Sequence, residues 1–174
     1  MKKLLLFSAL VVLSSLAFTG CGGGGSSSNQ VAKEGDKVSV HYTGTLEDGT
    51  QFDSSVGKTP LTFTIGAGQM IAGFDNAVRG MKVGETKTVT LTPEEAYGQH
   101  RSDLVAVLSR DQFPEGMTLT IGQRVPMQDS AGQQFMVTII EIGPGTVTID
   151  ANHELAGKTL VFEIELVSIA PGEN

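Results

Sequence analysis

The chain has no tryptophan and one cysteine, and its aromatic residues amount to 6% of the total. A single cysteine, Cys21, excludes an intrachain disulfide. Three histidines, His41, His100 and His153, are scattered without ligand spacing, so no metal site is expected. Basic residues are few: 12 Lys and Arg against 19 Asp and Glu give a net charge of −7, with no basic patch, which argues against a nucleic-acid partner. No Ser-His-Asp set, zinc motif or phosphate loop stands out, and no cofactor is expected. The one long apolar run, LLLFSALVVLSSLAF, is too short and too rich in serine for a good membrane span.

What is present suits strands. The length of 174 residues fits one ordinary domain or two small ones, and 40% hydrophobic content is enough for a packed core. Twenty-two glycines and many Thr and Val residues favour strands and turns over helical bundles.

The first twenty residues are set apart from the fold. Positive MKK, the apolar run and small residues before Cys21 form a signal peptide over 1–20. Its removal takes Lys2 and Lys3 and no acid, moving the net charge from −7 to −9. Cys21 has two readings: an unpaired thiol near a cleavage site, or a lipid attachment point. LAFTGC resembles a bacterial lipobox, departing from it at Phe18, where a Leu-like residue is usual. Two acyl-type chains on Cys21 would anchor the protein firmly. GGGGSSSNQ then completes a tether over 21–30, with a reach of about 15–18 Å for nine flexible residues.

From Val31 the pattern changes. Val38, Val40 and Tyr42 alternate with polar residues as in a strand with one buried face. EDG at 47–49 is a hairpin turn. Leu61, Phe63 and Ile65 share one face of another strand. Ile71, Phe74, Ala77 and Val78 fall at helical spacing, with Gly80 as C-cap. ETKTVTLT returns to alternation, PEEAYG opens as one helical turn, and TLVFEIELV places Leu160, Phe162, Ile164 and Leu166 on one side. The expected fold is mainly β (α+β): a bent antiparallel sheet wrapped on one short helix. Tyr42, Phe52, Phe63, Phe74, Tyr97 and Phe162 come from different elements. They either line one cavity between helix and sheet or form only the core there.

The stretches VHYTGTLEDGTQFDSS, PLTFTIGAGQMIAGFDNAVRGMKVGE, LTPEEAYG and TLVFEIEL, in that order, resemble the successive motifs of FKBP-type peptidyl-prolyl cis-trans isomerases. The likeness covers Lys33–Gln99 and Ala151–Ile169. It implies an isomerase domain over 31–100 and 151–171, and a pocket for the X-Pro amide. Asp53, Tyr97 and Tyr42 would act on the amide. Phe52, Leu61, Met70, Ile71, Phe74 and Phe162 would bind substrate, with Phe74 as floor in place of the tryptophan common in single-domain members. The Ile71 N–H and the Tyr97 hydroxyl would hold substrate, and Tyr42 O–H would donate to Asp53.

Between the third and fourth motifs lies Arg101–Asp150. LVAVL, FMVTIIEI and TVTID within it are strand-like, DSAG and GPG are turn signals, and Ser109 would cap a short helical turn ending at Phe113. A small β-rich domain over 101–150 at this place, followed by ANHELAG, is similar to the SlyD-like branch. The resemblance implies that the insert binds unfolded chains and passes them to the pocket. Met117, Met127 and Met136 suit an adaptable apolar surface there. The His- and Cys-rich tail of many such proteins is missing, and His153 is expected to hold the domain junction by hydrogen bonds. The functional expectation is a monomeric, lipid-anchored folding helper of the cell envelope, with the outer membrane favoured over the inner. Its partners would be proline-containing or unfolded polypeptides, and the membrane through the N-terminal lipid. Two other readings stand beside it: a non-catalytic holdase, and an envelope protein recruiting one fixed partner through the insert.

Overall fold

The computed structural model describes residues 30–129 and 131–170, so Cys21, the signal segment and most of the tether lie outside the described residues. The strands are β1 (Lys37–Leu46), β2 (Gln51–Ser54), β3 (Leu61–Thr64), β4 (Thr86–Leu91), β5 (Val105–Ser109), β6 (Arg124–Gln128), β7 (Gln134–Gly143), β8 (Thr146–Asp150) and β9 (Leu160–Ala170). They form two antiparallel sheets. The first runs β2-β1-β9-β4, with β3 also pairing to β1; the second runs β5-β8-β7-β6.

In the first sheet the β1–β2 turn is built by Asp48, whose Oδ1 accepts the Thr50 N–H at 2.8 Å, and by Gly49 at φ 84°, a backbone angle that side chains resist. The helical period becomes α1 (Ala72–Val78), with Ile71 at its N-cap position. Gly80 follows at φ 86° and donates to Ala32 O, ending the helix as expected. Phe74, Ala77 and Val78 of α1 pack on Val38, Val40, Phe63, Ile65, Leu160, Ile164 and Leu166 in one core. Gly73 allows that approach, because a Cβ there would stand 2.6 Å from Leu91 Cδ2.

The second sheet has its own core of Phe113, Val125, Val137, Ile139, Val147 and Ile149. Strand β6 has no counterpart in the sequence expectations, because Pro126 interrupts it. It lies at the sheet edge, where a residue without an N–H is tolerated. The turn after Ser109 is a 3-10 turn over Arg110–Gln112. Ser109 makes no side-chain bond to its backbone and instead bonds the Asp111 carboxylate. Met136 is exposed at 45%, while Met117 and Met127 are half-buried against the second core.

His153 does not hold the junction between the sheets; His100 does. His100 Nε2 lies 2.8 Å from Asp150 Oδ2. Asn152 receives the Arg101 N–H on Oδ1 at 2.9 Å and donates from Nδ2 to Arg101 O and Asp150 Oδ1. His153 bonds only locally, its Nδ1 accepting the Leu155 N–H at 3.2 Å. Its side-chain hydrogen bond therefore closes its own turn and does not tie the two chains that enter and leave the second sheet. Among the described residues, no helix is long and apolar enough to cross a membrane.

Ile164 is fully buried at the centre of the first sheet. Ile164→Ala should cost about 2–5 kcal/mol in urea unfolding, whereas Glu163→Ala, on the exposed side of the same strand, should change stability by no more than about 0.5 kcal/mol.

Candidate active site

A cavity of about 360 Å³ opens between α1, the β1–β2 hairpin and the segment after β4. It is lined by Tyr42, Phe52, Asp53, Gln69, Met70, Ile71, Phe74, Tyr97 and Phe162. Its rings hold one another. Phe162 meets Phe74 edge-on at 5.3 Å and Phe52 at 5.6 Å, and Tyr42 meets Phe74 at 5.7 Å. Phe63 lies 5.9 Å from Phe74 from within the core, supporting it from below. Gly44 makes the wall possible: a Cβ there would stand 2.6 Å from the Phe52 ring and 3.0 Å from that of Phe162.

The polar groups sit at the rim. Asp53 is exposed, accepts the Ser54 N–H at 2.8 Å and accepts a hydrogen bond from the Tyr42 hydroxyl. Partial burial, then that bond and the carboxylate charge, push the Tyr42 phenol up to about 12. Tyr42 is therefore a donor throughout the neutral range. The 3-10 turn Pro93–Glu95 carries Tyr97 to the opposite rim. A capping box closes that turn, Thr92 N–H donating to Glu95 Oε2 at 3.0 Å. The Tyr97 hydroxyl and the Ile71 N–H have no hydrogen-bond partner among the described residues, so two donors are left at the cavity mouth.

Eight of the nine residues expected at the site therefore line one cavity. Leu61 does not. It faces Val40 across the β1–β3 ladder and packs half-buried on the first core, outside the cavity lining. Gln69 is an addition. Its Oε1 accepts the Thr64 N–H at 2.8 Å, which folds the Gly-rich loop back and brings the side chain to the cavity. No periodic signal marks it. His153 is a second addition, stacked on Tyr97 with ring centroids 3.9 Å apart and planes 2° from parallel.

The arrangement offers an apolar aromatic floor with one carboxylate and neutral donors at its rim. It suits a reaction in which a bond rotates rather than breaks. Raising pH checks the Tyr42 assignment. The folded phenol titrates at about 12 against an ordinary 10.0, so the unfolded chain loses this proton first. This contribution to stability is full below pH 10 and falls away between about 10 and 12. Absorbance at 295 nm should show a tyrosine ionising near 12, and Asp53→Ala should bring that midpoint down, since only burial and the charge of Tyr97 then remain to raise it.

The chain matches the family model for FKBP-type peptidyl-prolyl cis-trans isomerases over residues 28–167. It is 37% identical over 133 residues to a probable FKBP-type 16 kDa peptidyl-prolyl cis-trans isomerase of Pseudomonas fluorescens, covering 76% of this chain and 88% of that one. It is 38% identical over 132 residues to the FKBP-type isomerase SlyD of Aeromonas hydrophila, covering 76% and 61%. To SlyD of Helicobacter pylori it is 41% identical over 115 residues, covering 66% and 62%. Among solved structures, it is similar to the crystal structure of FkpA from Escherichia coli at 27% identity and TM-score 0.46, covering 83% of this chain and 44% of that one. The chain belongs to the FKBP-type peptidyl-prolyl cis-trans isomerases, in the part of that family that holds the SlyD and 16 kDa proteins.

Proposed function

We propose that this isomerase is a lipid-anchored folding helper outside the cytoplasm, turning X-Pro amides in the aromatic cavity and gathering unfolded chains on the second sheet. Rotation about X-Pro must cross a barrier of about 18–20 kcal/mol, because it breaks amide resonance. The planar amide is more dipolar than the twisted one. A cavity floored by Phe74 and walled by Phe52, Tyr42 and Phe162 strips water from it and so disfavours the planar ground state more than the twisted transition state. The Ile71 N–H and Tyr97 hydroxyl hold substrate carbonyls. Asp53, held by Tyr42, orients polar groups at the prolyl side. The observation that carries this reading is the pair of unpartnered donors beside a closed set of rings.

The chain-binding half of the proposal draws support from a second groove. It has a volume of about 490 Å³, larger than the aromatic cavity, and its apolar lining includes Phe113, Pro114, Met117, Val125 and Met127. Flexible thioethers there adapt to varied side chains. The anchoring half rests on the lipobox-like LAFTGC and the Gly/Ser tether.

The test follows refolding limited by one X-Pro bond, using protein without residues 1–21. Substoichiometric amounts should accelerate it. Slowing in proportion to added protein would instead favour a holdase. Tyr97→Phe should lower kcat/KM by about 2–10-fold and Asp53→Ala by about 10–100-fold, each with the fold intact. Wild-type rates in both would sink the site assignment. Replacing residues 103–149 by a short loop should spare tetrapeptide turnover and depress turnover on protein substrates; equal loss on both would leave the second sheet a structural part only. In the full chain, Cys21→Ala should leave the membrane fraction, and its retention there would remove the anchor from the proposal.

A further inference from the structure

Four cavity rings are locked by their mutual contacts: Tyr42, Phe52, Phe74 and Phe162 each meet at least one of the others. Tyr97 meets none of them. It stands at the rim with 40% of its surface exposed, and its hydroxyl is unpartnered among the described residues. A rim tyrosine with no further contact would keep its rotamer freedom, and a donor that must meet a substrate carbonyl loses rate to that freedom. The one ring that Tyr97 touches is the His153 imidazole, parallel to it at 3.9 Å.

His153 is itself held. Its Nδ1 accepts the Leu155 N–H at 3.2 Å, and its carbonyl accepts the Ala156 N–H at 2.8 Å. Leu155 and Ala156 are both buried, Leu155 in the first core, so the turn that carries the imidazole is anchored there. With Nδ1 accepting, the neutral ring carries its hydrogen on Nε2. The Tyr97 segment is tied to the same place, because the Gly157 N–H donates to Gly98 O at 2.8 Å. Both rings are thus presented by chain segments stitched together one residue past Tyr97, and the plane of one sets the plane of the other.

We infer that His153 is a positioning residue for isomerisation: its imidazole fixes the Tyr97 ring so that the hydroxyl points at the substrate amide. The inference rests on the reading of Tyr97 as a substrate donor. It deepens that reading by assigning work to a residue outside the cavity lining, on the segment that returns from the second sheet.

Two substitutions separate the ring from the turn. In H153N the side-chain oxygen can still accept the Leu155 N–H, as Asx turns do, but the flat ring is gone. In H153F the ring remains and the acceptor is lost. Turnover of an X-Pro tetrapeptide is measured for both, with thermal midpoints and the NMR shifts of the Tyr97 ring protons. The expected result is a three- to tenfold fall in kcat/KM for H153N, roughly the worth of one aromatic pair. The Tyr97 signals should move towards those of a free tyrosine, and H153F should restore most of the rate. In a Tyr97→Phe background, H153N should cost nothing further, since there is no hydroxyl left to aim. Wild-type turnover in H153N overturns the inference, as does a loss in H153F as large as that in H153N. Full additivity with Tyr97→Phe also overturns it, because the effect would then not pass through the hydroxyl. Wild-type turnover in Tyr97→Phe alone removes the donor reading itself, and that result is distinct from any failure of His153.

Discussion

Gly44 faces Phe162 across the β1–β9 ladder, and that pairing sets where every ring of the cavity stands. Tyr42 lies opposite Ile164, so Tyr42 and Gly44 share the face on which Phe162 projects. The missing side chain at Gly44 is the space into which the Phe52 and Phe162 rings fit. The same face further along carries Val38 and Val40 against Ile169 and Leu166. Keeping both ends of β1 inward requires a slip between Ser39 and Val40, where β9 contributes Val167 as an extra, exposed residue. Without that bulge the inward set of β9 would turn outward beyond Leu166, since a one-residue shift exchanges the two faces of a strand.

That register also explains how the site does without reactive groups. Edge-to-face rings present an apolar floor, and the polar atoms stand around the mouth. Tyr42 bridges the two zones. Its ring is part of the wall, while its hydroxyl serves Asp53, so the carboxylate is held at the rim and kept off the floor. A carboxylate on the floor would bring its hydration shell with it and cancel the desolvation that the proposed mechanism uses.

Much of this was legible in the residues. Strands β1 and β9 announce themselves by period-two alternation over a buried face, α1 by Phe74, Ala77 and Val78, and the turn before Tyr97 by Pro93 and its acids. Other parts depend on partners that no local pattern encodes. TLVFEIELV alternates without a break, and the bulge at Val167 exists only because β1 lies beside it. Leu61 alternates as well as Phe63 does, yet its cross-strand neighbour is Val40 and not Tyr42, and it stays out of the cavity lining. Pro126 masks β6, because a missing N–H argues against a strand until the strand is known to lie at an edge. Gln69 reaches the cavity through a backbone bond five residues back, which leaves no trace in hydrophobic periodicity.

The junction shows the same logic in its polar groups. Arg101 N–H needs an acceptor and Arg101 O a donor, which orients the Asn152 amide with Oδ1 on the first and Nδ2 on the second. Both amide hydrogens are then spent, one on Arg101 O and one on Asp150 Oδ1. The close approach of Asn152 Nδ2 to His100 Nε2 at 3.2 Å is therefore not a bond donated to histidine. His100 must carry a hydrogen on Nε2 and donate it to Asp150. Burial alone would raise the Asp150 carboxyl, but the bonds from Asn152 and His100 outweigh it and hold the group below its ordinary value. The carboxylate stays charged through the neutral range, and one anion gathers donors from both chains that cross between the sheets. Three residues past Asp150 the same chain presents His153 to Tyr97, so the anchoring of the second sheet and the rim of the cavity are fixed by one short segment.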